Sequence, residues 1–577
     1  MSEHRIIRIL TTGILLTAGA FAQTTSFPKP DYFRQTFKNV DTKVVLQAPV
    51  RLRDYVKNGQ IEISLRDYLS LAMANNTQVQ VQYLTLETSR NNITSVYGLW
   101  DPRATASFNP SISTQDALPN SPGCPASGCP TSHTWPVSFG WSETLSSGQT
   151  INVTGGGQKF VPVTGGNSQF GSNLGFNITQ PLLQGRGAYV TRIPLMSAQS
   201  RYKQQGFNLT SNLLTLIGNA ENVYWNAVGL RETVAVNQSA LDAAKYNWDF
   251  VQRQFNLGAV SYLDTYNPQT AVAVAQLALA QSGYNLAAAE DAVRNQISID
   301  LDPDLRKLPL KLTESVDLPE SEAVIPDKEL EVQRALDLQP SLKSVTQNLD
   351  IDDLSIASAK NGLQPQLNLK IGYSGSGAGQ YYTPVMGTTI SPLAPALPTG
   401  ISTAEANYLT YLTPQTTVFG STIPGGLGDA MGQAFGWGNP TYGASLTLTL
   451  PIRNRTASMT MANALIQKKN DALNVRNTQQ SIRLAILNAV VALQNAEESL
   501  KLANTQENFA SLNLDAEHTK YALGNETQQN VVTAQQILAS AQLGVVNAKI
   551  TLQKAVLGLY SQTGELLDKR GIVVKTP

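Results

Sequence analysis

Ser64-Leu-Arg-Asp-Tyr-Leu-Ser-Leu-Ala-Met-Ala-Asn-Asn-Thr-Gln-Val79 is followed by a polar helical run, then by Trp100-Asp101-Pro102 and an alternating stretch. The same order returns later in the chain. Glu329-Leu-Glu-Val-Gln-Arg-Ala-Leu-Asp-Leu-Gln-Pro-Ser-Leu342 leads into a helical run, then Gln364-Pro365 and Leu367-Asn-Leu-Lys-Ile-Gly-Tyr373. Val79 aligns with Leu342 and Pro102 with Pro365 at one common offset. Further on, Phe176-Asn-Ile-Thr-Gln-Pro181 answers Leu446-Thr-Leu-Thr-Leu-Pro451, and Phe255-Asn-Leu-Gly258 answers Tyr521-Ala-Leu-Gly524. A duplication with strand and helix patterns in the same order implies a pseudo-symmetric scaffold, not a chain built around one cleft.

Between these landmarks the period is helical. From Leu213 an apolar or small residue recurs every seven positions: Ala220, Ala227, Val234, Leu241, Trp248, Phe255. A second line runs Leu216, Val223, Leu230, Asn237, Ala244, Val251. The second copy repeats this with Ile486, Leu493, Leu500, Leu514 and Tyr521 facing Ala489, Ala496, Ala503 and Ala510, with Glu507 breaking the first line. These are coiled-coil heptads. At 1.5 Å per residue a helix of ~65 residues is ~100 Å long. Each long helix stops at a Leu-Gly pair, Leu257-Gly258 or Leu523-Gly524, as a C-terminal glycine predicts, and a second helix follows at once. Each copy therefore holds a helical hairpin. A solitary structural coiled coil would share the heptads but would leave the intervening strands without explanation.

Between Pro102 and Pro181, and between Pro365 and Pro451, the period becomes two. Leu446, Leu448 and Leu450 alternate with Ser445, Thr447 and Thr449, while Leu174, Phe176 and Ile178 alternate with Asn173, Asn177 and Thr179. A membrane barrel strand needs this pattern, and a soluble sandwich gives it too. Long loops join the strands. The first carries an extra hairpin, Thr134–Glu143 and Gln149–Gly155, turning at Ser146-Ser147-Gly148. The second, about 375–439, is rich in Gly, Pro and Thr.

The remaining features bound the class. His4, Arg5 and Arg8 precede the short apolar run Ile9–Ala18, and Ala20-Phe21-Ala22 fits signal cleavage after Ala22; the alternative is an N-terminal anchor. No later run is long and apolar enough for a membrane helix. Lys+Arg and Asp+Glu number 42 each, so no basic surface points to nucleic acid. The two cysteines, Cys124 and Cys129, share one loop and would pair in an oxidising compartment; free or metal-binding thiols are the alternative. With three histidines in the chain a metal site is not expected, nor is any cofactor. No nucleophile–base set, zinc motif or phosphate loop marks an enzyme.

The chain resembles the TolC-like outer-membrane efflux proteins. The resemblance rests on Ser64-Leu65…Leu71-Ala72-Met73-Ala74-Asn75-Asn76, its echo Arg334-Ala335-Leu336…Gln339-Pro340-Ser341-Leu342, the strand exits Thr179-Gln180-Pro181 and Thr449-Leu450-Pro451, and the turns at Gly258 and Gly524. It covers about residues 60–566. It implies a mixed α/β membrane protein, a trimeric channel in which each protomer gives four strands to a shared β-barrel continued by a periplasmic α-helical barrel. The expected division is a signal peptide 1–22, an extended segment 23–60, a first repeat 61–302 (strands within 103–181, helical hairpin 182–301), a linker 303–327, a second repeat 328–566 (strands within 366–451, helical hairpin 452–566) and a tail 567–577.

The implied function is a passive exit duct in the outer membrane, extending into the periplasm. As a homotrimer set in outer-membrane lipid, it would be loaded by a periplasmic adaptor and an inner-membrane pump of RND, ABC or similar type, with drugs, metals, small metabolites or unfolded polypeptide as cargo. A structural or adhesive envelope coiled coil without channel activity is the rival reading. In the family, the second-copy turn commonly carries a ring of carboxylates. Here Asn530 and Thr533 stand at those places, and Glu526 stands where the family has a basic residue. Asp264 lies six residues after Gly258, so a Tyr521–Asp264 hydrogen bond between the turns is the expected periplasmic gate contact, with ordinary solvated turn residues as the alternative.

Overall fold

A computed structural model describes residues 52–114, 131–161, 168–298, 304–317, 325–379, 381–384, 420–423, 425–436 and 439–574. Cys124, Cys129, the signal peptide with its cleavage position after Ala22, and most of segment 23–60 lie outside the described residues.

Strands β1 (Val56–Lys57) and β2 (Gln60–Ile63) lead into helices α1 (Leu65–Asn75) and α2 (Thr77–Tyr97). Then come β3 (Arg103–Phe108), β4 (Ser111–Thr114), β5 (Thr131–Thr144), β6 (Thr150–Val161) and β7 (Gln169–Pro181), and after them the long helices α3 (Ala188–Asn256) and α4 (Tyr266–Gln296). Strand β8 (Leu310–Leu312) precedes the second copy: α5 (Lys328–Leu338), α6 (Pro340–Gly362), β9 (Gln366–Gly379), the mutually paired β10 (Tyr381–Pro384) and β11 (Gly420–Ile423), α7 (Leu427–Phe435), β12 (Pro440–Thr449), α8 (Arg455–Ala522) and α9 (Gln528–Thr563). A last turn, α10, covers Leu566–Lys569.

Matching chemistry starts the copies. The Ser64 hydroxyl accepts from the Asp67 amide at 3.2 Å to cap α1, and the Asp327 carboxylate accepts from the Glu329 and Leu330 amides at 2.9 and 3.0 Å to cap α5. Both satisfy amides that a helix start leaves without partners. Asn76 caps α2, while Pro340 opens α6, where its missing N–H costs nothing. The first short helix of each pair packs on the long helices of its own copy, while α6 lies against both α3 and α8, bonding α3 through Ser344–Asn208 and Gln347–Ser200. In the first copy, Leu65, Tyr68, Leu69 and Leu71 of α1 meet Leu213, Ile217, Tyr224 and Val228 of α3, together with Ile61 and Ile63. In the second, Val332 and Ala335 of α5 meet Ile482, Ile486, Val490 and Leu493 of α8, with Leu552 and Val556 of α9. The heptad lines thus supply the core-facing stripes. The linker and the residues before Ser64 join the first core: β8 runs parallel to β2, pairing Ile61 with Leu310 and Ile63 with Leu312.

Gly258 and Gly524 both take φ 75°, the left-handed conformation that ends a helix and favours glycine. After Gly258 the chain turns into α4 through a capping box. The Ser261 hydroxyl accepts from the Leu263 amide at 3.2 Å, and the Ser261 amide donates to Asp264 Oδ2 at 2.9 Å.

The main sheet corrects the four-strand expectation. It has seven strands in the order β12-β9-β7-β6-β5-β3, with β4 continuing β3 alongside β5. The extra hairpin is β5–β6, inserted between the first and last strands of copy one. The cause is legible in the register. Trp135, Val137, Phe139 and Trp141 alternate with small or polar residues and pair with Lys159, Gly157, Gly155 and Val153. Those pair in turn with Phe170, Ser172, Leu174 and Phe176 of β7. The hairpin's alternation is in phase with its neighbours, so it adds strands to the sheet.

Helix α7, which sequence periodicity over the Gly/Pro/Thr-rich loop did not reveal, lies on this sheet. The Gln433 side chain accepts from the Ala378 amide at 3.2 Å and donates to the Ala378 carbonyl at 3.1 Å. It thereby serves as one residue of a strand beyond the start of β12. The Ser172 hydroxyl donates to the Ala430 carbonyl, and a Cβ on Gly377 would collide with that same carbonyl, so glycine is what permits the approach. Phe435 stacks on Phe139 at 6.1 Å between ring centroids.

Candidate functional site

Two regions carry functional geometry: the two faces of the sheet, and the shared end of the helical hairpins.

Residues paired across neighbouring strands point to the same face. One face therefore collects Tyr442, Ala444, Leu446 and Leu448 of β12 with Tyr373, Ile371, Leu369 and Leu367 of β9. It continues through Phe176 and Ile178 of β7 to Trp141, Phe139 and Val137 of β5, and to Ala104, Ala106 and Phe108 of β3. Many of its large side chains are exposed: Tyr442 by 78%, Leu446 by 62% and Phe108 by 58%. The opposite face is Ser, Thr, Asn, Gln and Gly with few exceptions. Both outer edges of the sheet, β12 and β3, have no further strand beside them among the described residues. No described helix is long and apolar enough to cross a membrane.

At the hairpin end the structure rearranges the expected contacts. The Tyr521–Asp264 hydrogen bond does not form. Asp264 is engaged in the capping box of its own turn, and the Tyr521 hydroxyl donates to Gln254 Oε1 of α3 at 2.8 Å. Burial, and then the nearby Asp264 charge, push the Tyr521 phenol above its ordinary value, so it stays protonated and donates. Phe250 of α3 lies edge-on to the Tyr521 ring at 6.4 Å.

A second polar link lies deeper. Gln528, at the start of α9, donates to Asn247 Oδ1, and the Asn247 amide donates to Gln535 Oε1 at 3.4 Å. Asn247 and Gln528 are both buried, so this link crosses the packed interface between α3 and α9. Sequence reasoning passed over Gln254, Asn247, Gln528 and Gln535. The signal for Asn247 was present: it falls between Ala244 and Val251 on the buried stripe, where a polar residue needs a partner.

The other residues singled out from sequence remain local. Asn530 donates to Glu526 one turn away, and the Thr533 hydroxyl donates to the Gln529 carbonyl at 2.8 Å. Asn530 and Thr533 are exposed, and Glu526 is half-buried. Around the tips Leu257, Tyr262, Leu263 and Leu523 stand exposed.

Comparison with known proteins agrees with this geometry. The family model described as outer membrane efflux protein matches residues 144–297. Among solved structures, that of CusC superposes with a TM-score of 0.58 at 13% identity, covering 90% of this chain and 97% of that one. The Campylobacter jejuni CmeC outer membrane channel gives 0.55 at 15% identity over 90% and 88%. The Neisseria gonorrhoeae MtrE outer membrane channel, described in its open state, gives 0.56 at 15% identity over 87% and 89%. No protein of curated function matches in sequence. The fold these observations define, a strand sheet joined to long helical hairpins, is that of solved outer-membrane channels. The chain is similar to outer membrane efflux proteins, in sequence over residues 144–297 and in fold over most of its length.

Proposed function

We propose that three copies of this chain form the exit duct of a tripartite efflux or type I secretion system. The observation that carries this reading is the sheet with two open edges and one apolar face that is exposed outside the patch on which α7 lies. Lipid does not tolerate unpaired strand edges, so a sheet of this kind must close on others. A cyclic trimer pairs β3 of each copy with β12 of the next and leaves no edge. The apolar face then meets lipid and the polar face lines water. The paired hairpins continue the duct through the periplasm to a tip held by Tyr521–Gln254 and Asn247–Gln528. An adaptor docks there and draws the hairpins apart, and a pump of the inner membrane supplies the cargo. Passage is passive, because the lumen needs only a continuous polar wall. Chemical cross-linking in native membranes tests the assembly: a trimeric ladder is expected, and monomers alone would overturn it.

A further inference from the structure

The polar face of the sheet is not electrically neutral. In β3, β5, β6, β7, β9 and β12 the residues of that face are Ser, Thr, Asn, Gln, Gly and a few apolar side chains, with two charged exceptions, Arg103 and Lys370. The one acid within these strands, Glu143, pairs with Ile151 and so belongs to the apolar face. Arg103 and Lys370 are both exposed, and neither forms an ion pair among the described residues.

The register brings the two to one level. Lys370 pairs with Thr179, Thr179 with Thr150, and Thr150 with Thr144. Arg103 pairs with Ser142, the next residue of the same face beyond Thr144. On the other side Lys370 pairs with Ser445. A belt of hydroxyls with two unneutralised cations therefore crosses the whole sheet at the end where the strands meet the helices. Hydroxyls donate to anions as readily as they accept. A cleft of one sign with low-dielectric walls concentrates the opposite ion.

We propose that this belt makes the outer-membrane lumen prefer anions, with Arg103 and Lys370 as its selectivity-determining residues, so that the duct favours anionic over cationic cargo. The inference rests on the reading of the polar face as the lumen wall.

The test uses purified full-length trimers with Cys124→Ser and Cys129→Ser, carrying Ser445→Cys beside Lys370. Labelling rates at low salt are compared for an anionic ethylsulfonate and a cationic trimethylammonium methanethiosulfonate. The anionic reagent should react about fivefold faster relative to its rate on a free thiol. Adding Arg103→Glu and Lys370→Glu should invert that ratio. A ratio unmoved by the charge reversal overturns the proposal. Ala444→Cys, on the opposite face, separates this from failure of the channel reading. If Ala444→Cys labels freely and Ser445→Cys does not, the polar face is not the lumen, and both fall.

Discussion

The hydroxyl of Tyr521 and the side-chain carbonyl of Gln254 are 2.8 Å apart, joining the second helical hairpin to the first just before both chains turn. Both partners are neutral, so the bond contributes about 0.5–1.5 kcal/mol net. In the proposed duct, Tyr521→Phe should therefore raise the resting open population about two- to tenfold. Single-channel recording of purified trimers in planar bilayers reads this directly. Gln254→Leu should behave alike, and the double variant should add little, because both remove one bond.

Asp264 acts within its own turn. Asp264→Ala removes the reciprocal half of the capping box and should destabilise the start of α4 by about 1 kcal/mol. Amide exchange confined to residues 259–266 should accelerate about fivefold. Resting conductance should change less than in Tyr521→Phe.

Asp352 of α6 and Asp471 of α8 face each other, both buried, beside Gln467 and Arg201 in a polar cleft of about 760 Å³. Burial first, and then the Asp471 carboxyl, raise the Asp352 pKa to about 6. The folded state thus holds a proton that the unfolded chain releases near its ordinary value of 3.8. Stability from this site is full at low pH, falls as pH rises from about 4 to about 6, and stays lower above. The difference is about 1–3 kcal/mol. Asp352→Asn should raise the melting temperature at pH 7.5 and flatten the dependence, as thermal unfolding between pH 5 and 7.5 would register.

Glu221 is wholly buried in α3. It accepts from Trp225 Nε1 at 3.1 Å and from Arg570, whose Nε lies 3.0 Å from Oε2. This pair ties the residues after α10 to the first core. Arg570→Ala strands a buried carboxylate and should cost about 3–5 kcal/mol. Adding Glu221→Gln should recover part of the loss, and denaturant melts of the three proteins would show the order.

Ala496 of α8 is 3% exposed within the second core. Ala496→Leu should overpack it by about 1–3 kcal/mol and lower the protein's melting temperature. Ala503, half-buried on the same line, should tolerate leucine better.

Much of this architecture was readable from periodicity. The offset duplication located both short helix pairs, the heptads identified core residues such as Leu213, Ala227, Ile486 and Leu493, and glycine chemistry fixed both hairpin stops. Those features arise from local rules acting over long stretches. The extra hairpin was visible as two strands, but its place inside the sheet depended on phase with β3 and β7, which are distant in sequence. Helix α7 was hidden because its i, i+3, i+4, i+7 line of Leu427, Ala430, Met431 and Ala434 is short and set among glycines. At the tips, the sequence offered Asp264 as Tyr521's partner because charge stands out in a list of residues. The fold chose Gln254, since Asp264 already satisfied the nearer backbone amide.

If three copies close as proposed, the inserted hairpin bears on how such a duct changes over time. Two antiparallel strands leave and re-enter a sheet at the same end, so β5 and β6 return the chain to where β7 must begin. No helix has to shift, reverse or lengthen to accommodate them. Strand number sets circumference, and circumference grows with each pair added. The calibre of the membrane outlet can therefore evolve separately from that of the helical conduit, by gain or loss of one hairpin at a time.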